Sequence, residues 1–151
     1  MGLDLTFYEL KDYTANEHFK KEHQLVEVAY FSNATAMLLV QWLYRNHSRE
    51  IIDKRQESYH YIQIYEDDIW DIIHNLTHVL TCDPRDRNIF AIHYFPVRYA
   101  VSNWVNSCAM YTDDYYLRLY TLKERLEKLV DYKDDEEELS DGKCFFYNIS
   151  W

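Results

Sequence analysis

Glycine and proline are almost missing from this chain, with two of each in 151 residues. So few breakers argue against low-complexity or linker-like stretches and favour a single domain spanning residues 1–151, long enough to bury a core. With Gly2 and Gly142 as the only glycines, no Gly-rich phosphate loop can form. Walker-type and Rossmann-type nucleotide sites are thereby nearly excluded.

Cysteine is scarce as well. Cys82, Cys108 and Cys144 are odd in number and far apart, which fits reduced thiols and not a disulfide framework. There is no G-x-S-x-G elbow and no Cys-His catalytic signature, so nucleophilic catalysis has no foothold. No cationic and apolar leader is present, and no apolar run approaches the ~18–20 residues of a membrane span. The four Asn-x-Ser/Thr sequons (Asn33, Asn46, Asn75, Asn148) then read as chance matches, and the expected location is cytoplasmic.

Aromatic rings and acids are what the chain does have. Fifteen tyrosines, seven phenylalanines and four tryptophans can fill a core and also supply surface contacts. The net charge is −10 and uneven. Residues 131–141, "DYKDDEEELSD", hold seven acids and one lysine, a contribution of −6, against 19 acids and 15 bases elsewhere. Direct binding to a nucleic-acid backbone is disfavoured, because phosphate recognition needs clustered Lys and Arg. A protein with a basic surface is the expected partner.

The patterning predicts an α+β domain of about four helices packed with a small, mainly antiparallel sheet. In "MGLDLTFYEL", Leu3, Leu5 and Phe7 alternate with Asp4, Thr6 and Tyr8, which predicts a strand over 3–9. Met-Gly with Thr6 also fits an N-myristoylation pattern, but the apolar positions suit a buried strand face better. Residues 14–25 read as a loop with some helix, and 26–31 as a short strand or the lead-in to a helix. A helix with Ser32 or Asn33 as N-cap follows, apolar almost all round and therefore central. A strand is expected at 59–64, a helix at 66–80, and a strand at 89–95, "IFAIHYF". A helix over 97–109, a long helix over 112–131 capped by Thr112, and a last strand from Cys144 complete the reading.

Three constellations invite a chemical reading. His74, His78 and Cys82 step by four along the helix at 66–80, and zinc takes such ligands. Residues eight apart on a helix are separated by ~12 Å along its axis, so the three cannot share one ion. A solvated polar face is the simpler account, and no metal or cofactor is expected. The pairs Asp67-Asp68 and Asp113-Asp114 could serve acid–base or magnesium chemistry, yet each falls in the first turn of a predicted helix, where the dipole favours carboxylates. The acidic run, by contrast, begins where a helix ends and its dipole disfavours anions. It reads as a solvated loop or as a docking surface formed by Asp131, Asp134, Asp135, Glu136, Glu137, Glu138 and Asp141.

"MGLDLTFYEL", "VEVAYFSNATAMLLVQWL" and "DDYYLRLYTLKERLEKL" together resemble small phage and prophage proteins of no established activity. Those open Met-Gly-Leu-Asp-Met-aromatic and carry a Glu-Val-Ala/Gly-Tyr-Trp segment leading into a helix. Gly2, Leu3 and Asp4 match the first motif, and Glu27, Val28, Ala29 and Tyr30 the second, with Phe31 in place of Trp. The resemblance implies a small α+β protein of the bacterial host cytoplasm and carries over no catalytic residue. The expected function is a non-enzymatic, anti-defence inhibitor of the anti-CRISPR kind, occupying a basic nucleic-acid-binding surface of a host effector. Two rival readings stay open. One is a protein or enzyme acting on a small nucleotide signal with His60, His93 or Arg98 near a pocket. The other is a phage structural or assembly protein that uses exposed rings in a homodimer.

Overall fold

The computed structural model describes residues 2–10, 25–47, 61–97, 111–130 and 144–150. Among them are strands β1 (Asp4–Leu10), β2 (Leu25–Ser32), β3 (Ile62–Tyr65) and β4 (Cys144–Ser150), and helices α1 (Asn33–Asn46), α2 (Glu66–Thr81), α3 (Arg87–Tyr94) and α4 (Asp113–Val130). The strands form one sheet in the order β2-β1-β4-β3, with every pairing antiparallel. The fold is therefore α+β with four described helices, as the patterning predicts.

Period-two alternation explains how β1 and β4 share a face. Leu5 pairs with Ile149 and Phe7 with Tyr147, so apolar side chains lie side by side. Phe31 of β2 and Ile62 and Ile64 of β3 extend that face, which joins Leu39, Leu43, Ile69, Ile72, Leu76, Leu119, Leu122 and Leu126 of the helices in one buried cluster. α2 packs mainly against α4. The other sheet face is not a plain solvent face, since Thr6 and Phe146 on it are also buried.

The N-cap of α1 is Ser32, in extended conformation and without a side-chain cap bond. Ala36 and Leu38 to Leu43 are all buried, which fits a helix covered on both flanks. The turn into it is tight. Asn33 has φ 51°, and its N–H donates to the carbonyl of Leu3 at 2.8 Å. Gly2 approaches so closely that a Cβ there would lie 2.8 Å from Asn33 Oδ1. The left-handed conformation costs most side chains roughly 1–2 kcal/mol, and Asn less. Asn33→Ala should therefore lower stability by about 1 kcal/mol while Asn33→Gly leaves it nearly unchanged, a contrast that paired thermal melts can read.

The segment expected as a strand at 89–95 is instead helix α3, and this corrects the sequence reading. A strand would place His93 on the same side as Ala91 and Phe95. In the helix, Ala91 and Phe95 are fully buried while His93 turns out to solvent. The Tyr115 hydroxyl of α4 donates to the Phe95 carbonyl at 2.6 Å and anchors the helix end. Aromatic and β-branched content favours a strand locally, and packing against α4 overrides it.

The other boundaries move little: 26–31 is strand and not a helical lead-in, 66–80 runs to Thr81, and the long helix spans Asp113–Val130. The strand at 59–64 begins at Ile62 among the described residues. Most of the helix expected at 97–109 and of the loop at 14–25 lies outside them, and Val97 is not helical.

Candidate interaction surface

β3 runs straight into α2 with no intervening residue, and this junction gathers acids. Glu66, Asp67 and Asp68 occupy the first turn of α2, with Asp71 one turn on and no base among them. The helix dipole favours carboxylates at this end, so the sequence reading of Asp67-Asp68 agrees with their position. Asp68 has local work besides: its Oδ2 accepts the Tyr65 backbone N–H at 3.1 Å. Asp67 and Asp71 face solvent, and the Tyr65 side chain is 63 % exposed.

The sheet register fixes the strand position at which the chain resumes after a second acidic stretch in the sequence. Tyr65 pairs with Cys144, the first residue of β4. The acidic segment ending at Asp141 is therefore covalently tied to the strand position opposite the start of α2. Three residues of chain span at most about 11 Å, so Asp141 stays within that distance of Cys144. The candidates Asp131, Asp134, Asp135, Glu136, Glu137, Glu138 and Asp141 themselves lie outside the described residues.

Further along the outer face of α2, the metal-like constellation separates into three unrelated environments. The His74 ring lies 6.1 Å from that of Trp70. His78 packs 4.2 Å from the Phe90 ring, and its Nδ1 is 3.3 Å from the Tyr94 hydroxyl. Cys82 caps the helix and its thiol donates to the Val79 carbonyl at 3.3 Å. Among the described residues, no three His, Cys, Asp or Glu side chains are grouped to hold an ion. His93, offered for a small-ligand pocket, is exposed, its ring against Tyr94 and its carbonyl accepting from Arg45. His60 and Arg98 lie outside the described residues.

A polar cluster that the sequence did not signal lies beneath the junction. His47, just after α1, is buried, with Nε2 3.3 Å from Asp68 Oδ2 and Nδ1 3.3 Å from the Tyr147 hydroxyl. The order carboxylate, imidazole, hydroxyl is that of a nucleophilic triad, but Tyr147 is fully buried and can meet no substrate. The cluster instead ties the end of α1 to the start of α2 and to β4, holding the acidic junction on the sheet. Histidine at a predicted helix end was the only available signal. Its partners sit on distant segments, so periodicity could not find them.

Burial pushes the Cys144 thiol above its ordinary range, partly offset by a hydrogen bond from Gln63, which disfavours the reactive thiolate. Cys108 lies outside the described residues. Among those residues no helix is long and apolar enough to cross a membrane. Comparison with protein-family models, with curated proteins and with solved structures finds no match, so neither family nor function can be transferred to this chain.

Proposed function

We propose that this chain is a non-enzymatic, phage-type binding protein that docks through acids onto a basic surface of a bacterial partner. The partner class that fits is a nucleic-acid-binding effector, whose phosphate-binding cleft the acids occupy as an inhibitor of host defence would. The observation that carries this reading is the pairing of Tyr65 with Cys144. It supports a single acidic region built from Glu66, Asp67 and Asp71 together with the −6 segment 131–141. Acids gathered on one side steer a basic partner and make association fall with salt. The exposed Tyr65 ring and the partly buried Trp70 ring are of types enriched in protein interfaces.

The test is capture from a bacterial lysate with the wild-type chain and with a variant reversed to Lys at Asp134, Asp135, Glu136, Glu137 and Glu138. The wild type should retain a nucleic-acid-binding protein that competing DNA or RNA releases, with retention falling by about tenfold or more between low and physiological salt. The reversed variant should lose it. Retention that ignores both the reversal and salt would exclude acidic docking.

A further inference from the structure

The outer edge of β2 needs a protection that the strand itself supplies only in part. The strand, "LVEVAYFS", is apolar but for Glu27 and Ser32, has no proline, and stands at one end of the described sheet. Val26 is 47 % exposed and Tyr30 46 %. An open, apolar edge of high β propensity is a template on which another chain can add a strand. The first half of β2 has two ordinary protections. Glu27 supplies a charge, and Val28 is the extra residue of a bulge that interrupts the regular ladder. Residues 29–32 have neither.

This regular half is covered from α4. The Asn33 N–H donates to the Leu3 carbonyl, and bonded and unbonded positions alternate along an antiparallel ladder. Tyr30, paired with Thr6, therefore falls at an unbonded position, and its N–H and carbonyl point away from β1. On that side the Arg125 guanidinium donates to the Tyr30 carbonyl at 2.9 Å. The same guanidinium lies 5.5 Å from the centre of the buried Phe31 ring, so the side chain reaches across the sheet face to its rim. Neighbouring bases on α4 are used differently. Lys123 pairs with Glu127 and Lys128 with Glu124 within the helix, whereas Arg125 meets no carboxylate among the described residues.

We propose that Arg125 is a latch on the sheet edge: by holding the outward carbonyl of Tyr30, it keeps β2 from pairing with β2 of a second copy. An incoming strand needs that carbonyl as an acceptor, and it must displace a charge-assisted bond to reach it. Pairing of two equivalent edges is isologous. Each copy then brings its own Arg125 to the shared rim, like charge facing like.

Sedimentation velocity on the full chain, over a wide concentration range, tests this directly. Arg125→Leu keeps an apolar stem over Phe31 and cannot donate. It should self-associate at a concentration at least about tenfold lower than wild type, with a thermal melt close to wild type. Arg125→Gln, too short to reach the Tyr30 carbonyl, should behave likewise and takes the place of R125L if that variant fails to fold. Adding Tyr30→Pro to either variant should restore wild-type behaviour, because proline removes the outward N–H that pairing needs and breaks no bond to β1. Association no stronger in the folded variants than in wild type overturns the proposal. Association that survives Y30P overturns it equally, since the contact then lies on another surface.

Discussion

Phe7→Ala is expected to lower the unfolding free energy by about 3–5 kcal/mol, the range for removing a fully buried ring. Phe7 has no exposed surface, and it lies on β1, an inner strand flanked by β2 and β4. Its ring meets Phe31 edge-on and Tyr147 at a tilt, each with centroids 6.0 Å apart. Truncation therefore removes aromatic contacts to both neighbouring strands and leaves a void between sheet and helices. Domains of this size hold only about 5–15 kcal/mol in all, so the loss is a large fraction. The melting temperature should fall by on the order of 10 °C, whereas Phe7→Leu, which keeps most of the volume, should cost less than half as much. Equal effects of the two variants in chemical denaturation would contradict the tight packing described for this face.

The second large effect is expected in alkali. Burial, reinforced by the neighbouring phenols of Tyr111 and Tyr116, pushes the Tyr115 hydroxyl well above the ordinary phenol range. Its proton is also committed, as the donor to the Phe95 carbonyl at 2.6 Å. Below pH 10 the phenol is protonated in both folded and unfolded chains and adds no pH dependence. Above pH 10 the unfolded chain sheds this proton while the folded one keeps it, so stability falls as pH rises. Each pH unit beyond 10 should remove about 1.4 kcal/mol through this residue alone. Tyr8 is shifted the same way, through burial and then Tyr61, and adds to the slope. Denaturant titrations at stepped pH should give a slope for Tyr115→Phe that is shallower by one proton. That variant should also lose about 1–3 kcal/mol at neutral pH from the broken hydrogen bond. An unchanged alkaline slope in the variant would show that Tyr115 is not held protonated by the fold.

The parts of this fold legible in the sequence are those in which one residue period dominates. The alternation of Leu3, Leu5 and Phe7 and the three-and-four spacing of Ile69, Ile72, Ile73 and Leu76 each admit one reading. α3 departs from its local pattern because "IFAIHYF" is short and apolar, and its conformation is settled by contacts with Tyr115 and not by its own preferences. Strand order was illegible for a related reason. β1 could pair with any apolar partner, and Val28, the extra residue where Phe7 faces Ala29 and Tyr8 faces Glu27, carries no local sign of a bulge. The candidate surface divides in the same way. Both acidic stretches are visible as letters, but the pairing that sets Tyr65 opposite Cys144 is not. The cluster of His47, Asp68 and Tyr147 depends on three elements meeting at once.

The position of β4 between β1 and β3 also governs the order in which the molecule can assemble. Asp4 pairs with Ser150, so the central seam of the sheet joins residues far apart in the chain. On a ribosome, the hairpin of β1 and β2 and the helices can form early, while β3 has no neighbour among the described strands until β4 emerges. Phe7 and Phe31 then await Phe145 and Tyr147, and the β1 edge destined for β4 stays open meanwhile. Such long-range closure slows folding relative to a helical bundle of equal size. Productive folding is accordingly a race between the arrival of the last described strand and capture of the open β1 edge by another chain.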